Sequence, residues 1–142
     1  ILPTIGITSF NVRVDHSPED RGHVVIGVAR ADGSLGWGLA LGNGMLWRRM
    51  GPGGPVPLPD GWPDGHQTQI MKDEAGQPTD LFGKAIGAVI TVCIDHDAGT
   101  LGFRVNGGPL LEALKGFPVG AAMRPWVCCF DPHKLTLVQP YL

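Results

Sequence analysis

Residues 87–107, G-A-V-I-T-V-C-I-D-H-D-A-G-T-L-G-F-R-V-N-G, constrain this chain more than any other stretch. Val92 and Ile94 alternate with Thr91, Cys93 and Asp95, and Leu101, Phe103 and Val105 alternate with Gly102, Arg104 and Asn106. Successive side chains of a strand point to opposite faces, so each half is a strand with one face on a core. Residues 95–99 supply the Asp and Gly that close a hairpin, and Asn106-Gly107 opens a second turn. The unit is the scaffold of an all-β module whose function is left to its loops.

The rest of the chain continues the pattern. Phe10, Val12 and Val14 share one side of a first strand. Residues 15–22 are polar, contain Pro18 and read as a loop. In the strand 23–29, Val24, Ile26 and Val28 form one face and Val25, Gly27 and Ala29 the other. Gly27 has no side chain, which predicts close approach by a neighbouring strand or aromatic ring. Residues 35–41, with Trp37, and 45–47 follow across tight turns. Residues 66–71 read as a short strand, and 109–114 as a short strand or single helical turn. Strands 123–130 and 135–138 complete the set. No segment supports an amphipathic helix of three turns. Strand-like pieces parted by frequent Gly and Pro give an antiparallel sandwich or barrel.

Residues 48–66 break the pattern with five Gly and five Pro. Such a segment is neither a central strand nor a helix interior. It is either an ordered functional loop or a flexible insertion, and Trp47 and Trp62 favour an ordered path.

At 142 residues the expectation is one domain, 1–142, with a core that needs no metal or disulfide. Its start, Ile1-Leu2-Pro3-Thr4, reads as a boundary within a longer protein. Eleven Lys plus Arg stand against thirteen Asp plus Glu. The only adjacent basic pair is Arg48-Arg49, which argues against nucleic acid or an anionic membrane as partner. Three Cys is an odd number, and Cys128 and Cys129 cannot share a strand face. That fits an intracellular, cytoplasmic or nuclear protein. No run reaches the length of a membrane-spanning helix.

Asp95-His96-Asp97 has the start of a calcium loop but none of its later ligands, and a structural turn explains Gly99 as well. There is no Cys-x-x-Cys pair, no Gly-x-Ser-x-Gly elbow and no phosphate loop. The expectation is a protein that is not an enzyme and holds no metal or cofactor.

Several pieces, in order, resemble the SPRY domain of the B30.2 family. They are residues 10–14, Ile26-Gly27-Val28-Ala29, Gly36-Trp37, the Gly-rich turn at 42–46, and above all residues 86–107 with their Asp-x-Asp-x-Gly-Thr turn. Residues 113–117 and Met123-Arg124-Pro125 complete the resemblance, which runs from about Phe10 to Val138. The chain departs from the family at Lys84-Ala85, where an acidic residue is usual, and at Leu114, where an aromatic is common. The upstream PRY segment is not evident. The resemblance implies an all-β, two-layer antiparallel sandwich of concanavalin-like jelly-roll architecture. It also implies a non-catalytic module that binds a protein or linear peptide through variable loops.

The candidate ligand-binding residues are Arg21, Trp47, Trp62, Trp126, Asp131 and His133, on loops 15–22, 47–65 and 126–133. Trp126 faces outward if Val127 faces the core, although core packing is the alternative; Trp37 reads as core. A carbohydrate-binding module, with Trp62 or Trp126 beside Asp131, and a purely structural domain are the competing readings. The isolated domain is expected to be monomeric.

Overall fold

A computed structural model describes residues 2–3, 5–33, 35–50, 56–57, 69–115 and 122–138. Among the described residues, ten strands and one short 3-10 turn follow one another. They are β1 (Ile7–His16), the turn Pro18–Asp20, β2 (Val24–Arg30), β3 (Leu35–Ala40), β4 (Met45–Met50) and β5 (Val56–Pro57). The second half holds β6 (Val89–Asp95), β7 (Thr100–Val105), β8 (Leu111–Lys115), β9 (Met123–Cys129) and β10 (Lys134–Val138). They form two five-stranded antiparallel sheets, ordered β10-β1-β6-β7-β8 and β5-β4-β3-β2-β9. The expected two-layer sandwich is what the chain forms.

The core lies between the sheets and follows the alternation. Phe10, Val12, Val14, Ile90, Val92, Ile94, Leu101 and Phe103 come from the first sheet. Val24, Ile26, Val28, Trp37, Leu39 and Leu46 come from the second. Trp37 is therefore core. The β6–β7 hairpin closes as the Asp/Gly spacing predicts. Asp95 Oδ1 accepts the N–H groups of Asp97 and Ala98, each at 3.0 Å, and Gly99 takes φ +69°. At the next turn Asn106 and Gly107 both have positive φ, the conformation of a type I′ hairpin turn.

The second sheet is buried on both faces at β2, where Val25 and Ala29 join Val24, Ile26 and Val28 as buried residues. An antiparallel strand commonly keeps one face wet. Here the register explains the difference. Trp126, Gly27, Gly38 and Trp47 stand opposite one another across β9, β2, β3 and β4. Two glycines in the middle leave a trough, and the two half-buried indoles flank it. A Cβ on Gly36 would lie 3.2 Å from the Trp126 ring. A Cβ on Gly27 would lie 1.9 Å from the Trp37 carbonyl oxygen, so the predicted close approach is the backbone of β3.

Two expectations need correction. The strand from Met45 runs on to Met50, and Val56–Pro57 adds a two-residue edge strand inside the Gly/Pro segment. A proline is tolerated there because an edge strand has one unpaired side. Of the expected strand 66–71, the described residues 69–71 show only an isolated bridge, Gln69 to Met45. Gly44 sets this path, its carbonyl accepting the N–H groups of Ile70 and Met71.

Candidate binding surface

β2, β6 and β10 begin, and β1, β3 and β9 end, at one end of the sandwich. Three connecting segments meet there: residues 17–23, 80–87 and 130–133. Bonds between residues far apart in sequence hold them together. Gly83 N–H donates to the Asp20 carbonyl at 2.7 Å, and Ile86 N–H to Asp20 Oδ1 at 2.7 Å. Phe130 N–H donates to the His23 carbonyl at 3.1 Å. Asp20 and its neighbour Glu19 both have positive φ, 56° and 52°. That is an uncommon region for a side-chain-bearing residue, and two in succession mark a strained loop.

Beneath this loop lies a polar clamp. The His133 ring is fully enclosed, and Ser17 is 1% exposed. His133 Nδ1 lies 2.9 Å from the Asp131 carbonyl, which only accepts, so Nδ1 carries the hydrogen. Nε2 then accepts from the Ser17 hydroxyl at 2.9 Å. Ser17 Oγ in turn accepts Gly22 N–H at 2.9 Å. The Ser-His-Asp order imitates an acyl-transfer triad. Its serine is buried, and its hydroxyl both donates and accepts inside the fold. The arrangement ties the loop after β1 to the loop after β9. The Asp131 carboxylate also lies 3.4 Å from His23 Nδ1.

Above the clamp opens a cavity of about 340 Å³, whose walls include Gly22, His23, Asn43, Trp47, Phe82 and Phe130. Phe82 and Phe130 are 58% and 53% exposed, values at which an apolar ring is in open contact with water. Phe130 meets Trp47 edge-on, with ring centroids 5.8 Å apart and planes at 60°. Such pairs are favoured by the ring quadrupoles. Trp47 Nε1 is shielded from solvent and has no hydrogen-bond partner. Phe82 is set by Asp80 Oδ1, which accepts its N–H at 3.0 Å.

The sequence candidates divide accordingly. Trp47 lines the cavity, and Asp131 borders it through His23. Arg21 is exposed on the same loop and paired with Glu19. His133 was expected at the surface, but its ring is enclosed and serves the clamp instead. Trp126 is half-buried over Gly36 in mid-strand rather than beside Asp131, and Val127, whose burial was the condition for an outward Trp126, is 43% exposed. Trp62 lies outside the described residues. Sequence reasoning placed Ser17 and Phe130 on the candidate loops 15–22 and 126–133 without giving either its role, and missed Phe82. The available signal was a Phe set among turn residues, Asp80-Leu81-Phe82-Gly83 and Phe130-Asp131-Pro132, where no core position calls for it.

Burial raises the Cys93 thiol above its ordinary range, and burial followed by Cys128 and Asp131 does the same for Cys129. Neither is activated as a nucleophile. Among the described residues no group of three or more His, Cys, Asp or Glu side chains could hold a metal ion. Among them also, no helix is long and apolar enough to cross a membrane.

The chain is thus a two-sheet sandwich with an aromatic cavity among the loops at one end. The SPRY domain family matches residues 7–139, and the chain belongs to that family, whose members are non-catalytic protein-interaction modules. Two solved structures share the fold. The SPRY domain of human HERC1 superposes with a TM-score of 0.69 at 16% identity, covering 100% of this chain and 80% of that one. The TRIM65 PSpry domain superposes with a TM-score of 0.55 at 18% identity, covering 99% and 68%. No curated protein matches the chain by sequence.

Proposed function

We propose that this module binds a peptide segment of a partner protein in the aromatic cavity at the end of the second sheet. The observation that carries the reading is the convergence of Trp47, Phe82 and Phe130 on one cavity, with two of the rings largely exposed. Exposed aromatics around a concavity are the usual anchors of binding energy. The strained Glu19-Asp20 loop, clamped to Ser17 and His133, keeps the cavity's shape before any ligand arrives.

The test is affinity capture from native extract with the wild-type chain and with Phe130→Ala and Phe82→Ala. Both rings are mostly exposed, so both variants should melt close to wild type. The expected result is loss of specifically retained proteins from both variants. Undiminished recovery by variants that still fold would reject the cavity as the site.

A further inference from the structure

We propose that the cavity's occupant is a linear peptide carrying a large apolar side chain with a Lys or Arg close beside it. This rests on the cavity reading above and adds the chemistry of the ligand. The apolar half follows from the three rings. The basic half follows from charge. Three of the segments around the cavity, 17–23, 80–87 and 130–133, carry a carboxylate near an aromatic or histidine, and the fourth, from Ala40 to Trp47, carries none. Asp80 lies two residues before Phe82 and holds its backbone. Asp20 is bonded to the segment that follows Phe82. Asp131 follows Phe130 directly and faces His23.

Over residues 17–24, 80–86 and 130–133 there are four carboxylates, Glu19, Asp20, Asp80 and Asp131, against two permanent cations, Arg21 and Lys84. Arg21 is engaged by Glu19. Lys134, the next residue after the last segment, is exposed and stands opposite His16 in the register of β1 with β10. With Lys134 counted, four carboxylates stand against three permanent cations, and these loops keep a net negative formal charge. Asp131 is the least compensated of the four. The single Nδ1 hydrogen of His133 goes to the Asp131 carbonyl, and carboxylate Oδ1, 3.2 Å from that nitrogen, makes no hydrogen bond. Oδ1 is shielded from solvent, so an incoming ammonium or guanidinium meets this carboxylate at Oδ2, beside His23. An acidic peptide would meet like charge on three sides.

The experiment selects binders from a displayed library of random linear peptides on the folded chain, at about 0.1 M salt, where screening acts over ~10 Å. Selected peptides are then synthesised and titrated against wild type, Phe130→Ala, and the pair Asp80→Asn and Asp131→Asn, which keep an oxygen acceptor at each position. The expected peptides carry Lys or Arg next to an aromatic or long aliphatic residue. They should bind about two- to five-fold more weakly for each carboxylate neutralised, in the range of exposed ion pairs. Raising the salt should weaken wild-type binding and leave the doubly neutralised variant nearly unchanged. Asp97→Asn, at the far end of the sandwich, should match wild type. Peptides that need Phe130 but show no basic preference and no salt dependence would overturn the charge inference and leave the cavity standing. Peptides indifferent to Phe130→Ala, or a library without binders, would overturn both.

Discussion

Two loops of nearly the same composition behave in opposite ways. Residues 95–99, Asp-His-Asp-Ala-Gly, and residues 17–22, Ser-Pro-Glu-Asp-Arg-Gly, are both short, polar and acidic. The first lies where Ile7 pairs with Asp95, and the second leaves the opposite end of β1. The Asp95 loop closes mainly on itself, since its carboxylate and carbonyl take the N–H groups of Asp97, Ala98 and Gly99. The Ser17 loop is held from elsewhere. His133, Gly83 and Ile86 bond to it from 116, 63 and 66 residues away along the chain. The Asp95 turn leans on a neighbour at one residue, His96, which is buried and donates its N–H to the Gly6 carbonyl at 2.8 Å. A loop fixed by distant segments brings those segments together, and the cavity is built where they meet.

The comparison breaks most directly at Ser17. Ser17→Ala removes the hydroxyl that serves both Gly22 N–H and His133 Nε2. Two buried groups are left unbonded, at about 1–3 kcal/mol each, so a loss of about 2–4 kcal/mol is expected. Urea unfolding at equilibrium measures the loss, and faster hydrogen exchange of the Gly22 amide locates it. Asp95→Ala is the matching change in the other loop. Its two amides are exposed and can turn to water, so the expected loss is about 1 kcal/mol, with Asp95→Asn close to neutral. If the two alanine variants lost equal stability, the distinction between the loops would fail.

The smallest effect separates burial from sequence distance. Asp15 also has a distant partner, the Thr136 hydroxyl, as well as Arg13 at 2.7 Å, but it lies on an exposed sheet face. Those two bonds, Thr136 first, hold its carboxyl below the ordinary value of 3.8. A lowered folded value stabilises the fold above the unfolded value, and that contribution is lost as pH falls through the folded one. Asp15→Asn should therefore lower stability slightly at neutral pH and flatten the acid limb below about pH 4, so that the two stability curves converge at low pH. A variant with an unchanged acid limb would show that the bonds at Asp15 are not maintained in solution.

The sequence by itself determined the sandwich, because its information is local. Alternation in residues 90–94 and 101–105 assigns each side chain a face, and Asp95, Gly99 and Asn106-Gly107 specify their turns within a few residues. Gly27 announced a close approach for the same reason, since a missing Cβ in a strand is an intrinsic property of one position. Tertiary structure alone decided the site. Phe82 and Phe130 are 48 residues apart, and only the placement of β9 beside β2 in the second sheet brings Phe130 to Trp47. His133 read as a surface histidine until the register of β10 with β1 buried its ring against Ser17. A polar residue in a loop carries no local mark that tells burial from exposure, because what covers it comes from another part of the chain.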